Sequence, residues 1–419
     1  MIKRHICEPI LESLQDFPVV LLTGARQVGK STLALTLSGP EWPASYLTLD
    51  DRVVLDAALR DPDGFVAGTP VPVIIDEVQR APDLLRALKL AVDRSRNPGQ
   101  YLLTGSANLM TLKVVSESLA GRMALFELHP FSWAEIAERP VPKTLADLFD
   151  ATDARALLDR WPKGPFPNRR QEMQEIILHG GYPTPALMRS MTSRVRWFEA
   201  YRKTYLERDL REISAIANLP DFNRLLSLVA LRTGQLLNLS DISRDLGLPL
   251  TTVRRYLNLL ETTYQVFLVR PYHVNLGKRL VKTPKLYVTD TGMACYLSAA
   301  EDWRFLERQG RTGAMVETWA AAELRKILSV FGRHQLYFWR THTGREVDFL
   351  IERGEEVVAI EVKWSSSIGN SDLAGFKDCA DTLGGRLRFS VLLYPGTEMV
   401  ALDTRTVAVP FSVFFGLDR

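Results

Sequence analysis

The stretch "FPVVLLTGARQVGKSTLALTL" limits this chain to few architectures, because an apolar strand, Val19 to Leu22, runs through a glycine loop into a helix beginning near Lys30. Gly24, Ala25, Arg26, Gln27, Val28, Gly29, Lys30, Ser31 and Thr32 have the order of a phosphate loop. Its glycines let backbone N–H groups turn inward around phosphates, and the amino terminus of the following helix adds positive potential. In such a loop Lys30 reaches the β- and γ-phosphates of ATP, and the Ser31 hydroxyl ligates Mg2+. A glycine-rich turn with a chance lysine would not need the strand before it and the helix after it.

A phosphate loop calls for an acid at the end of a neighbouring strand. "VPVIIDEVQ" supplies Val73 to Ile75 followed by Asp76, expected to hold the metal, and Glu77, expected to polarise the attacking water. A further strand, "QYLLTGSAN", ends with Thr104, Ser106 and Asn108, and either Ser106 or Thr104 is placed to sense the γ-phosphate. Downstream in "SLAGRMALFELHP", Arg122 is a candidate for stabilising transition-state charge, in cis or across a subunit boundary. "YLTLDD" at 46–51 reads as another central strand.

Composition sets wider bounds. At 419 residues, and ~150 residues per domain, about three units are expected. No apolar run approaches the ~18 residues of a membrane helix, and the basic start "MIKRHICEPILESLQDF" reads as an amphipathic helix rather than a signal peptide. A cytoplasmic location with no membrane partner is the expectation. Cys7, Cys295 and Cys379 are widely spaced, which suits free thiols in a reducing compartment. A net charge of +3 is too small to argue for nucleic acid by itself.

Local charge says more. Prolines in "RPVP" and "WPKGPFP" mark a boundary between Arg139 and Pro167, and a helical pattern fills 170–216. "LSDISRDLGLPLTTVRRYLNLLE" then gives a helix from Asp241, a turn at Gly247 and a second helix near Thr251. Thr251 and Thr252 are candidate caps, while Val253, Leu257 and Leu260 form the buried stripe that leaves Arg254 and Arg255 outside. "VFLVRPY" and "KTPKLYVTD" would pair around a wing, "HVNLGKRLV". Between Arg254 and Lys285 stand seven basic residues, Arg254, Arg255, Arg270, Lys278, Arg279, Lys282 and Lys285, against the single acid Glu261. Arg254, Arg255, Lys278 and Arg279 are the candidate DNA contacts. The same winged helix could instead pack on the nucleotide domain, a protein partner or a second subunit.

In "REVDFLIERGEEVVAIEVKW" the apolar sets Val347, Phe349, Ile351 and Val358, Ile360, Val362 predict a hairpin turning at Gly354-Glu355. That register sets Asp348 opposite Glu361 and Lys363 opposite Glu346, and two facing carboxylates need a compensating cation. Two accounts stand: a surface hairpin with splayed carboxylates, or a Mg2+ site in which Asp348 and Glu361 bind metal, Lys363 orients water, and Glu317 joins from the preceding helix.

Together "LLTGARQVGKST", "VIIDEVQ", "LLTGSAN", "SLAGR", "GGYP" at 180–183, "YLERDL" at 205–210 and "REVDFLI…AIEVK" resemble the prokaryotic AAA-type P-loop ATPases that end in a DUF4143-type domain of unknown function. Glu317, Asp348 and Glu361-x-Lys363 resemble a restriction-endonuclease-like core, although Val347-Asp348 replaces its proline-aspartate step. The resemblance implies ATP and a multidomain architecture; with the reading of the residues above, the expectation is an α/β chain: an AAA-type P-loop domain with a parallel sheet and flanking helices at 1–138, a helical connector or lid at 139–220, a winged helix at 221–297, and a restriction-endonuclease-like domain at 298–419. The expected function is ATP hydrolysis coupled to DNA engagement, with metal-dependent cleavage as one version. A non-nucleolytic switch or a protein-binding ATPase is the other.

Overall fold

The structure is a computed structural model that describes residues 2–106, 119, 121–206, 218–273, 277, 279, 282–365 and 367–418. Val19–Thr23 (β1), Ser45–Thr48 (β2), Val73–Asp76 (β3), Tyr101–Thr104 (β4) and Met123–Glu127 (β5) form a parallel sheet in the order β2-β3-β4-β1-β5. β1, β3 and β4 are buried at every position, as their uninterrupted apolar runs require when helices cover both faces. Val20, Leu22, Ile74 and Leu102 face Ile10 and Leu14 of helix Cys7–Asp16 and Leu33 and Leu37 of helix Lys30–Leu37. The alternate residues Val19, Leu21, Val73, Ile75 and Leu103 pack on Leu84, Leu88 and Val92 of helix Leu84–Arg94. "YLTLDD", expected as a central strand, is the edge strand β2, half exposed and paired with β3 alone.

Farther along, helices Leu219–Leu231, Leu239–Leu246 and Leu250–Thr262 pack with Gln235–Leu236 (β6), Val266–Pro271 (β7) and Lys285–Val288 (β8). Gly247, at φ 66°, ends the second of these helices in the left-handed conformation that glycine tolerates best. The third starts one residue before Thr251, with Pro249 at its cap position and no side-chain cap, so the capping role expected of Thr251 and Thr252 is not realised. Val253, Tyr256, Leu257, Leu259 and Leu260 are its buried face. Of the expected wing at 273–281, only residues 273, 277 and 279 fall within the described set.

β8 pairs antiparallel with both β6 and β7, and β7 continues parallel onto His334–Arg340 (β9) through Arg270↔Tyr337 and Pro271↔Phe338. Glu346–Arg353 (β10), Glu356–Val362 (β11), Leu387–Tyr394 (β12), Val400–Ala401 (β13) and Thr406–Pro410 (β14) complete a nine-stranded mixed sheet, ordered β13-β14-β12-β11-β10-β9-β7-β8-β6. One sheet therefore runs through the boundary expected at 297/298. The β10–β11 register is the expected one, Phe349↔Ile360 and Ile351↔Val358, with Gly354 at φ 64° in the turn. Helix Thr312–Phe331 lies on the sheet face carrying Phe349, Ile351, Val358 and Ile360, and helix Ala374–Leu383 on the face carrying Leu350, Val357 and Ala359. Val347, expected beside Phe349, joins the second face because the β9–β10 register shifts between Val347 and Leu350.

The region expected as a connector is divided. Residues 144–166 strap the carboxy-terminal sheet: Thr144 Oγ1 donates to Phe414 O at 2.7 Å, Ala154 N to Thr404 O at 2.8 Å, and Phe166 N to Thr397 O at 2.7 Å. The "GGYP" turn is held by buried Asp290, whose carboxylate accepts from Gly181 N at 2.7 Å and caps the next helix at Met293 N, 2.9 Å. A Cβ on Gly180 would lie 2.2 Å from Asp290 Oδ1, and Gly181 O accepts in turn from Phe131 N at 2.7 Å. Asp290→Ala removes a cap and strands two buried N–H groups, and should cost about 2 kcal/mol, read as a lowered urea midpoint. An unchanged midpoint would show that the turn holds without this carboxylate.

Candidate functional site

The parallel register brings the carboxy-terminal ends of β1, β3 and β4 to one edge, with Leu21↔Leu103 and Ile75↔Leu103 in line. There the 24–32 loop turns through Gly24 at φ 141°, Gln27 at φ 61° and Gly29 at φ 95°. Gly24 admits no side chain: a Cβ would stand 2.4 Å from Leu128 O. Lys30 Nζ is buried and donates to the loop carbonyls of Gly24, 3.1 Å, and Ala25, 2.9 Å, so the ammonium is held inside the curve that its own loop makes.

Asp76 is buried at the end of β3, where Tyr46 OH donates to Oδ2 at 2.7 Å and Thr104 Oγ1 donates to Oδ1. Burial first, then the bond to Asp76, pushes the Tyr46 hydroxyl up to about 12, so Tyr46 remains a donor. Glu77 takes the left-handed conformation, φ 60° and ψ 41°, and its N–H donates to Thr104 Oγ1 at 3.2 Å. Gln79 Nε2 donates both to Glu77 Oε2 and to Ser106 Oγ, the latter at 3.0 Å. The structure thus brings Lys30, Ser31, Asp76, Glu77, Thr104 and Ser106 to one edge, and the hydroxyl and carboxylate donors among them are hard oxygens that suit Mg2+. Of the two hydroxyls, Thr104 is engaged with Asp76 and Ser106 with Gln79. Tyr46 and Gln79 were not anticipated, since one lies on an edge strand and the other differs from any polar residue after a strand only by where the backbone reverses.

Arg122 is elsewhere. Met123 pairs with Val19, the far end of β1 from the loop, so Arg122 stands roughly 16 Å from it along the strand at ~3.3 Å per residue. Its guanidinium is bound to Asp93, at 2.6 and 3.1 Å. A role in cis is thereby corrected, and only a contribution across a subunit boundary is compatible with this position.

The carboxy-terminal candidates do converge, around Lys285, a lysine counted above only as part of the local basic excess. Lys285 of β8 is 4 % exposed, and its Nζ lies 2.8 Å from Glu317 Oε1, against Glu346, and 4.0 Å from Asp348 Oδ1. Tyr287 OH donates to the same Glu317 oxygen at 2.6 Å, and Arg340 pairs with Glu346 at 3.4 Å. Asp348 accepts from Val362 N at 2.9 Å, while Lys363 pairs with Glu361 at 2.9 Å rather than with Glu346 as expected. Burial would lower the Lys285 ammonium, but Glu317, Asp348 and Glu346 outweigh it and hold it above its usual range. Burial and then Glu317 and Glu361 push the Asp348 carboxyl well above the carboxylate range. Lys285 stands beside Asp348 and Lys363 pairs with Glu361, and among the described residues no group of three or more His, Cys, Asp or Glu is arranged to hold a metal ion. The Mg2+ reading of this cluster does not fit.

The basic surface shrinks correspondingly. Arg279 is buried, clamps Glu352 at 2.7 and 2.9 Å, and stacks on Tyr272 and Tyr337, so it is corrected from a DNA contact to a structural ion pair. Lys285 is likewise spent, and Lys278 lies outside the described residues. Arg254 and Arg255 are exposed on helix Leu250–Thr262, beside exposed Thr251 and Asn258.

Comparison with known proteins places these features. Residues 16–137 match the family model described as AAA domain, 312–414 the Domain of unknown function DUF4143, and 170–304 the Domain of unknown function DUF8612. Over 413 residues the chain is 32 % identical to Uncharacterized protein Rv2008c of Mycobacterium tuberculosis, covering 97 % of this chain and 83 % of that one, and equally to Uncharacterized protein Mb2031c of Mycobacterium bovis. The chain belongs to their family. Among solved structures, the Walker-type ATPase PABY2304 of Pyrococcus abyssi aligns with 71 % of this chain and 96 % of its own, at 17 % identity and a TM-score of 0.45. Among the described residues of this AAA and DUF4143 family member, no helix is long and apolar enough to cross a membrane. Lys285 lies in the DUF8612 match, whereas Glu317, Glu346 and Asp348 lie in DUF4143, so this ion cluster ties two separately matched segments together.

Two outcomes follow from the cluster. Lys285→Met leaves Glu317 and Glu346 facing one another without their buried cation, and should lose about 3–5 kcal/mol in chemical denaturation. Asp348→Asn should act oppositely. Because the folded-state pKa of Asp348 is raised, the stability this group contributes is complete below its unfolded value of roughly 4 and is lost as pH rises through the folded value. The asparagine variant should therefore exceed the parent in urea midpoint at pH 7, with the difference closing near pH 4. A constant difference across that range would contradict the assignment.

Proposed function

We propose that this chain is a Mg2+-dependent ATPase whose nucleotide state governs DNA engagement by its 219–288 unit. The single observation that carries the ATPase reading is the gathering of Lys30, Asp76, Glu77 and Ser106 at one sheet edge beside a loop with no room for a side chain at Gly24. Backbone N–H groups of 24–32 would cradle the phosphates, Lys30 would exchange its two loop carbonyls for phosphate oxygens, and Ser31 with Asp76 would hold Mg2+, which supplies charge neutralisation when bound. Glu77 would orient and deprotonate the attacking water, and Ser106 would donate to the γ-phosphate. Catalysis by such a set is positioning and charge stabilisation.

The helices and strands of 219–288 follow the order of a winged helix, and the outward face of Leu250–Thr262, with Thr251, Arg254, Arg255 and Asn258, suits a major groove. The helix-β-β-β-helix-β succession of 312–394 is restriction-endonuclease-like in order. Lys285 at its carboxylates favours the non-nucleolytic reading, in which this unit is a platform for the winged helix rather than a cutting site.

Lys30→Ala should reduce ATP turnover by about 100-fold or more in a phosphate-release assay; turnover at the parent rate would remove the phosphate-loop assignment. DNA affinity measured across salt should weaken when Arg254 and Arg255 are both replaced by alanine, with the log–log salt slope falling by about 2. Affinity insensitive to salt and to both arginines would favour a protein partner. With Mg2+ or Mn2+ and DNA the parent should leave plasmid intact, and nicking abolished by Asp348→Ala would overturn the non-nucleolytic reading.

A further inference from the structure

Gln79 occupies the short 3-10 turn Val78–Arg80, directly after Glu77. A non-glycine residue in the left-handed region costs free energy and persists where its surroundings demand it. Here the reversal at Glu77 returns the Gln79 amide over the end of β3, toward the segment that leaves β4. Its Nε2 donates to the Glu77 carboxylate and to Ser106 Oγ at 3.0 Å. A primary amide nitrogen has two hydrogens, so both are used. Oε1 is buried without a hydrogen-bond partner and packs toward Gly105, where a Cβ would stand 3.0 Å from it. An alanine at 105 would therefore press on the amide, and glycine leaves it room.

The bonding pattern has a direction. Because Ser106 Oγ accepts from Gln79, its own O–H is left to donate elsewhere, as a γ-phosphate oxygen requires. The Glu77 carboxylate is fixed by the same nitrogen, so the group assigned to the attacking water and the group assigned to the γ-phosphate are held in one register. We propose that Gln79 is a positioning residue for hydrolysis, tying the phosphate-sensing hydroxyl of Ser106 to the carboxylate of Glu77. This rests on the ATPase reading above. Side chains that act through one shared group are non-additive on removal, whereas separate structural defects multiply.

The experiment measures steady-state ATP hydrolysis and nucleotide affinity for the full chain and for Gln79→Ala, Gln79→Met, Ser106→Ala and the double variant Gln79→Ala/Ser106→Ala. Gln79→Met keeps the side-chain volume, so it serves if the alanine variant does not fold. Loss of the amide should lower kcat by about 10- to 100-fold while nucleotide affinity stays within about 2-fold. The double variant should be no slower than the slower single variant. Unchanged kcat in the Gln79 variants, a loss confined to KM, or a multiplicative loss in the double variant would each overturn the proposal. Failure of the underlying reading looks different: the parent itself would show no turnover, or Lys30→Ala would hydrolyse ATP at the parent rate.

Discussion

One ammonium group, that of Lys285, holds two parts of the chain in a fixed relation. Among the described residues, the three strands around β8 meet the carboxy-terminal strands through two paired positions, Arg270↔Tyr337 and Pro271↔Phe338. So short a ladder is weak by itself. The buried lysine reinforces it by engaging Glu317 from a helix and Glu346 and Asp348 from β10, and Arg279 adds a second clamp on Glu352. A buried charge removed from such a cluster is costly because its partners remain. These ion pairs therefore cross the boundary expected at 297/298.

At the loop after β1, constraint comes from shape instead of charge. Gly24 passes against Leu128 O, and Leu128 N donates to Thr23 O at 2.8 Å, so the loop and the exit of β5 share one narrow contact. Tyr201 OH donates to Arg26 O at 3.4 Å and accepts from Gln265 Nε2 at 3.3 Å, which joins the loop backbone to the segment entering β7. Nucleotide edge and helix-strand unit are thus in physical continuity.

The phosphate loop was legible because its strand, glycines and helix are contiguous, and the hairpin register because alternation specifies it. What remained hidden was position across the fold. Arg122 precedes a strand in sequence as a finger residue might, but parallel pairing with Val19 carries it to the wrong end of the sheet. Lys285 and Arg279 were counted with neighbouring basic residues, and nothing in linear spacing reveals that both side chains turn inward to acids more than 30 residues away, at Glu317 and Glu352. Val347 fell on the unexpected face because a register shift is invisible to a strict period of two. Gln79 needed the left-handed turn at Glu77, which a glutamate does not advertise.

The strap of residues 144–166 has a consequence for how the molecule is made. Thr144, Ala154 and Phe166 hydrogen-bond to Phe414, Thr404 and Thr397, so the carboxy-terminal unit draws on chain synthesised before the helices of 219–262. Its last strand and closing residues must arrive before that early segment finds its partners. Completion of this unit is thus a late event in the chain's emergence, and a fragment starting at residue 298 would lack part of its own wall.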